Sequence, residues 1–160
     1  MNEAIQTFFT VRHYHEADRD AVNKIERLCY PEMIGAEPFD WSLFQFMHVV
    51  DRAAFGVVGF CAACPVIRRC GHPSRYKWQI ACVGVHPEFQ RFKFGSFLVR
   101  ALADQVADIT DGAGVLQCYA PEGRDGLGAA LFLKSLGFVG VDTFQGYIRF
   151  LLNGKSVKNP

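Results

Sequence analysis

The chain has 160 residues, with 17 Lys and Arg against 16 Asp and Glu, for a formal charge of +1. Half of it is hydrophobic and 21% is charged, which excludes a disordered segment and suits one globular domain spanning 1–160. A charge so near zero gives no general electrostatic reason to bind nucleic acid or an anionic membrane surface.

No apolar run approaches the roughly 20 residues of a membrane helix. Met1 to Thr10 lacks the basic start of a signal peptide. Without an export signal, the six cysteines read as reduced, largely buried thiols of a cytoplasmic protein.

Phe8 to Tyr14 is aromatic and β-branched and reads as a first strand. Asp18-Arg19-Asp20 then opens a helix, along which Val22, Ile25, Leu28 and Cys29 recur at helical spacing until Pro31 ends it. Pro31 to Asp40, with its prolines and Gly35, reads as a loop, and the bulky Trp41 to Val49 as a short helix. Ala53 to Ile67 is apolar but interrupted by Gly56 and Gly59, which predicts two strands and a turn. The basic stretch Arg68 to Arg75 reads as a loop and Trp78 to Val85 as a strand. Gly95 to Ile109 is a helix with Leu98, Ala101, Leu102, Gln105 and Val106 along one side. Val115 to Tyr119 is a short strand, and Leu127 to Leu136 is a helix stopped by Gly137. Val139 to Leu152 is strand-like with a turn or bulge at Gly146, and the last eight residues read as a frayed tail. This order predicts a mixed sheet covered by helices, partly antiparallel and partly parallel.

The most informative segment is Val83-Gly84-Val85-His86-Pro87-Glu88-Phe89-Gln90-Arg91-Phe92-Lys93-Phe94-Gly95-Ser96. A strand ends, a polar turn follows and a helix opens, so unpaired backbone N–H groups and the positive dipole end could receive an anion. Gly95 allows close approach, Ser96 offers a hydroxyl, and Arg91 and Lys93 add charge; an ordinary strand-to-helix turn with surface basic residues fits the spacing equally. There is no P-loop motif, and Gly126-Leu127-Gly128 is only a partial dinucleotide fingerprint, with Leu131 where the third glycine belongs.

Val85-His86-Pro87-Glu88-Phe89-Gln90-Arg91 resembles the V-x-P-x-x-[QR] signature of the GNAT superfamily of acetyl-CoA-dependent N-acetyltransferases. Within it, the segment is most like the branch that acetylates protein N-termini, including ribosomal-protein alanine acetyltransferases. Ala129 to Phe138 is similar to the family's A-x-x-L-Y-x-x-x-G-F helix, in register with the first motif, and the likeness covers about 9–152. It implies a three-layer α-β-α fold whose central mixed, mostly antiparallel sheet splays between strands four and five. It implies acetyl-CoA as co-substrate and no metal. Backbone at Val83, Gly84 and Val85 would bond the pantetheine amides, and Gln90, Arg91, Phe92, Lys93, Phe94, Gly95 and Ser96 would hold the pyrophosphate. A primary amine, on a peptide N-terminus or a small molecule, would attack the thioester directly in a monomer or homodimer.

Several positions depart from the family pattern. Lys93 stands where relatives have a glycine, and Phe132 where many have a tyrosine that protonates the leaving thiolate. Asp125 falls where relatives often carry an asparagine near pantetheine, and Gln79 near a catalytic glutamate. His86 and Tyr119 remain as candidates for proton transfer, each with a bland reading as a turn histidine and a packed strand aromatic. In relatives the loop holding Glu37 and Asp40 borders the acceptor, and the stripe Trp41, Leu43, Phe44, Phe46, Met47 walls it. Arg68, Arg69, Arg75 and Lys77 form a basic patch that could draw an acidic acceptor or simply be a solvated loop.

Two other readings stay open. A GNAT-fold module that binds CoA without catalysis would explain Lys93, Phe132 and Gln79 together. A zinc site from Cys61, Cys64, Cys70 and His72 has suggestive spacing, but residues three apart on a strand face opposite ways.

Overall fold

In the computed structural model, residues 9–31, 41, 44–68 and 70–153 are described. The aromatic run begins the sheet as β1 (Phe9–His13). A 3-10 turn (Glu16–Asp18) leads into helix α1 (Arg19–Cys29), which buries Val22 and Ile25 and leaves Leu28 exposed. The segments β2 (Phe46–Arg52), β3 (Gly56–Ile67) and β4 (Pro73–Val85) follow. Helix α2 (Phe94–Ile109), strand β5 (Val115–Pro121) and helix α3 (Leu127–Ser135) alternate after them. The hairpin β6 (Val139–Phe144) and β7 (Tyr147–Asn153) ends the described chain.

The strands form one seven-stranded sheet in the order β1-β2-β3-β4-β5-β7-β6. The β1–β2, β2–β3, β5–β7 and β6–β7 ladders are antiparallel, whereas β4 and β5 are parallel. The parallel ladder holds three rungs, Lys77↔Val115, Trp78↔Leu116 and Gln79↔Gln117. Beyond them β4 continues to Val85 and β5 to Pro121. This is the mixed α/β arrangement implied by the motifs, and the early end of the parallel ladder fits a splayed sheet.

The chain divides into two compact units, the first from 1–63 and 81–102, the second from 64–80 and 103–160. In the first, α1 supplies Val22 and Ile25 to a core with Trp41, Met47, Val49, Phe60 and Ala62. The other sheet face receives α2, since a Cβ on Gly59 would lie 3.4 Å from Leu98 Cδ1. Arg12 ties β1 to the chain on both sides: it bonds Asp18 at 2.7 and 2.9 Å and Asp51 at 2.8 and 3.1 Å. The guanidinium holds the Asp18 carboxyl below its ordinary range. In the second unit, Leu116, Ala120, Leu133, Phe138, Phe150 and Leu152 are buried around β5, α3 and β7.

Three expectations are corrected. Phe46 to Val49 is strand, not helix, because Met47, His48, Val49 and Val50 are all buried between β1 and β3 and leave no polar alternation to read. Leu43 and Ser42 lie outside the described residues. Ala53 to Ile67 is one turn and one long strand, since Gly59 sits inside β3. There its missing Cβ admits Gly84 O, which a methyl would meet at 3.1 Å. The loop expected over 68–75 is shorter, because β4 starts at Pro73. The turn or bulge read at Gly146 is the tip of the β6–β7 hairpin, where Gln145 and Gly146 both have positive φ, at 51° and 80°. Glu37, Asp40, Arg69 and nearly all of the tail expected to fray lie outside the described residues.

Candidate active site

The segment from β4 to α2 is built by short-range contacts. His86 N donates to Val58 O at 2.9 Å, so the strand end still follows β3. Pro87–Phe89 forms a 3-10 turn, and His86 Nδ1 accepts from Glu88 N at 3.4 Å. Phe89 is pinned by Phe55, with ring centroids 5.2 Å apart, and the Arg52 guanidinium lies over both rings. The Gln90 side-chain amide reaches back to Val85 O at 3.1 Å. The loop then turns through two left-handed residues, Arg91 at φ 70° and Lys93 at φ 63°.

Such turns gather successive N–H groups on one side, the geometry of an anion-binding nest. The first helical bond, Phe97 N to Lys93 O at 3.1 Å, leaves the N–H groups of Phe94, Gly95 and Ser96 ahead of the helical ladder. Phe94 is buried and packs edge-on to Phe9 at 5.0 Å, and Phe97 lies 5.2 Å from the same ring, so β1 anchors the first turn of α2. Phe92 projects outward with its ring stacked on Phe94. Arg91 and Lys93 are exposed. This donor set fits a diphosphate: backbone N–H groups, a helix N-terminus and two exposed cations.

Past Gln79 the edge of β4 that faces away from β3 pairs with no strand among the described residues. Backbone groups alternate along a strand, and those of His86 point to β3, so those of Val83 and Val85 point away from it. Both carbonyls accept from the end of α1: Tyr30 Oη donates to Val83 O at 2.8 Å, and Cys29 Sγ to Val85 O at 3.3 Å. Burial pushes the Cys29 thiol pKa up. Gly84 faces the other way, and a Cβ there would meet the Phe60 ring at 2.5 Å.

The candidates for proton transfer are dispersed. His86 caps its own turn and lies 5.7 Å from the Phe89 ring. Tyr119 is exposed on β5 opposite Arg149, which is ion-paired with Asp142. Asp125 is exposed in the turn before α3. Phe132 is half-buried on α3 and offers only its carbonyl, which accepts from Ser135 Oγ at 2.7 Å; counted back four residues from Gly137, the motif's tyrosine position falls not on Phe132 but on the buried Leu133, which also has no hydroxyl. Gln79 accepts from the buried Gln117 side chain at 3.2 Å, on the last rung of the parallel ladder. Tyr30 was not singled out by its sequence context. Its only sequence signal is an aromatic hydroxyl one residue past a helix end, which is common; contact with β4 is a tertiary fact.

Cys61 and Cys64 lie on one unbroken strand, β3, and their side chains face opposite ways. Among the described residues no three His, Cys, Asp or Glu side chains converge on a metal position. Nor, among them, is any helix long and apolar enough to cross a membrane.

A comparison with curated protein sequences finds no match. Similarity to solved structures is extensive in fold and low in sequence. The ribosomal-protein-S18-alanine N-acetyltransferase of Escherichia coli superimposes with TM-score 0.66 at 17% identity, over 91% of this chain and 93% of that one. An aminoglycoside 6'-N-acetyltransferase complexed with coenzyme A gives TM-score 0.75 at 14% identity, over 94% and 99%. The yncA protein of Salmonella typhimurium, solved with acetyl-CoA, gives 0.68 at 19%, over 95% and 97%. The model of the acetyltransferase (GNAT) family matches residues 12–138. The β4–α2 loop, the truncated parallel ladder and that match agree, and the chain belongs to the acetyltransferase (GNAT) family.

Proposed function

We propose that the chain transfers an acetyl group from acetyl-CoA to a primary amine by direct attack. The observation that carries this reading is the loop Gln90–Lys93. It directs backbone N–H groups toward the start of α2 through left-handed Arg91 and Lys93, directly after a strand segment that pairs with β5 only as far as Gln79. In this reading the N–H groups from Arg91 to Ser96 hold the pyrophosphate, with Arg91 and Lys93 adding charge. The Val83–Val85 edge of β4 bonds the pantetheine amides. A backbone N–H on that edge faces the thioester carbonyl and stabilises its developing negative charge. The protein otherwise works by holding amine and thioester in line.

The acceptor is a peptide N-terminus or a small amine, the two classes named by the structural neighbours, and the protein acts in the cytoplasm as a monomer or homodimer. The frame has no carboxylate at the Gln79 position, so ordered water relays the amine's proton. Asp125 and Phe132 border the pantetheine path in this reading, and neither supplies a proton there.

Calorimetry with acetyl-CoA, followed by an amine and peptide panel scored by acetyl-CoA-dependent thiol release, tests the proposal. Binding with turnover of one acceptor class is expected, and no binding at millimolar acetyl-CoA refutes it. The amide pair Gln79–Gln117 and the lack of a hydroxyl at both Phe132 and Leu133 favour a second reading, a CoA-binding module without catalysis. Binding without turnover of any amine would select it.

A further inference from the structure

We propose that the Tyr30 hydroxyl is the proton donor to the leaving sulfur, a role for which the tyrosine position of the A-x-x-L-Y-x-x-x-G-F motif, Leu133 here, carries no hydroxyl. This rests on the acetyltransferase reading above. Tyr30 immediately follows α1: its N–H closes the helix on Glu26 O at 2.8 Å, and its backbone then leaves helical geometry at φ −130°, ψ 64°. The half-buried side chain is thereby aimed at β4, where the hydroxyl donates to Val83 O at 2.8 Å. Cys29 makes the parallel contact to Val85 O. Two consecutive residues thus dock on two alternate carbonyls of the same strand edge, the edge turned away from β3.

Position along that edge separates the two. A thioester arm that starts at the phosphate loop and runs back along β4 passes Val85 first. Val83 lies two residues further, roughly 6–7 Å deeper, toward the sulfur end. Tyr30 therefore stands on the thiol side and Cys29 on the phosphate side. Tyr119 lies opposite Arg149 on β7, and His86 Nδ1 accepts from Glu88 N of its own turn.

The step balances without another reactant. The amine lone pair forms the C–N bond and the C–S bond breaks, with its electron pair passing to sulfur. The Tyr30 O–H supplies that sulfur with a proton, and the proton shed by the new amide nitrogen restores the tyrosine through water. A carbonyl that holds the hydroxyl in the resting protein keeps it protonated and oriented until the sulfur competes for it.

The test is Tyr30→Phe, which keeps the ring and removes the hydroxyl. The expected result is a loss of at least about 30-fold in kcat. Acetyl-CoA affinity by calorimetry stays within about two-fold and the melting temperature is little changed. Cys29→Ala keeps kcat within about three-fold. Retained kcat in Tyr30→Phe overturns the assignment. So does a rise in acetyl-CoA affinity at unchanged kcat, which would make the hydroxyl an occupant of the arm's place. A matched collapse of affinity and rate overturns it as well, since the residue is then structural. Failure of the parent chain to bind acetyl-CoA at all is a separate outcome that removes the acetyltransferase reading first, and this assignment with it.

Discussion

Lys93 is the residue whose chemistry and backbone most disagree. A lysine at φ 63° occupies a region that costs a non-glycine residue about 1 kcal/mol, and it stands where the family motif has glycine. Lys93→Gly should therefore raise unfolding stability by about 0.5–1 kcal/mol in urea titration. A loss of stability would show that the side chain carries a contact worth more than the strain. The motif alone flagged this position, but the torsion that turns the departure into a cost is a property of the folded loop.

His48 gives a second prediction at this scale. It is buried on β2, its ring lies 4.7 Å from that of His13 on β1, and its Nδ1 has no hydrogen-bond partner among the described residues. Its register partner on β3 is the buried Cys61. Burial, reinforced by His13, pushes the His48 pKa down to about 4. The unfolded chain then binds the extra proton between about pH 6.5 and 4. The stability held by neutral His48 is complete above that window and falls as pH drops through it. Between pH 7 and pH 5 the loss should be about 2 kcal/mol, read from urea midpoints. A flat response over that interval would mean that the imidazole finds a partner on protonation. Nothing in the local sequence around His48 marks it, because its burial comes from two neighbouring strands.

The junction of β5 with α3 depends on one element boundary. Gly126 caps α3 at an ordinary helical φ of −92°, so its value is not conformational freedom. A Cβ there would lie 1.6 Å from Pro121 O and 2.5 Å from Pro121 C, both backbone atoms that cannot move aside. Gly126→Ala should cost about 3 kcal/mol in unfolding free energy, or leave the protein insoluble. Gly128→Ala, where a methyl would meet nothing within 4 Å, is the control and should be near neutral. The pair separates close packing from fingerprint chemistry, since Gly126-Leu127-Gly128 also looks like part of a dinucleotide motif. Elements with their own periodicity or stop signals were readable beforehand: α1 by Val22 and Ile25, α3 by Gly137 at φ 91°, the last hairpin by Gly146. β2 was not, because a strand buried on both faces carries a continuous apolar run that a helix can equally show.

At the scale of the whole molecule, the near-neutral chain concentrates its proposed anion recognition in one loop rather than spreading it over the surface. Ligand binding to the native state alone stabilises by mass action, so acetyl-CoA at about 100 times its dissociation constant should add about 2.7 kcal/mol. That is a rise of several degrees in melting temperature. Lys93→Ala should reduce the rise, and adenosine without the diphosphate should not reproduce it. An equal shift with adenosine would place the affinity outside the loop.

The sequence by itself determined the family, the helix-opening loop with its basic residues, and the absence of a hydroxyl at the tyrosine position of the second motif. These are local patterns, in which residue type and spacing already carry the physics. Only the tertiary structure decided that Gly59 and Gly84 serve close packing of β3 and β4. It alone turned Phe46–Val49 into strand and set Tyr30 on Val83 from 53 residues away. Contacts of that span depend on which strands become neighbours and on which way alternate carbonyls point, and neither is written in the neighbourhood of any single residue.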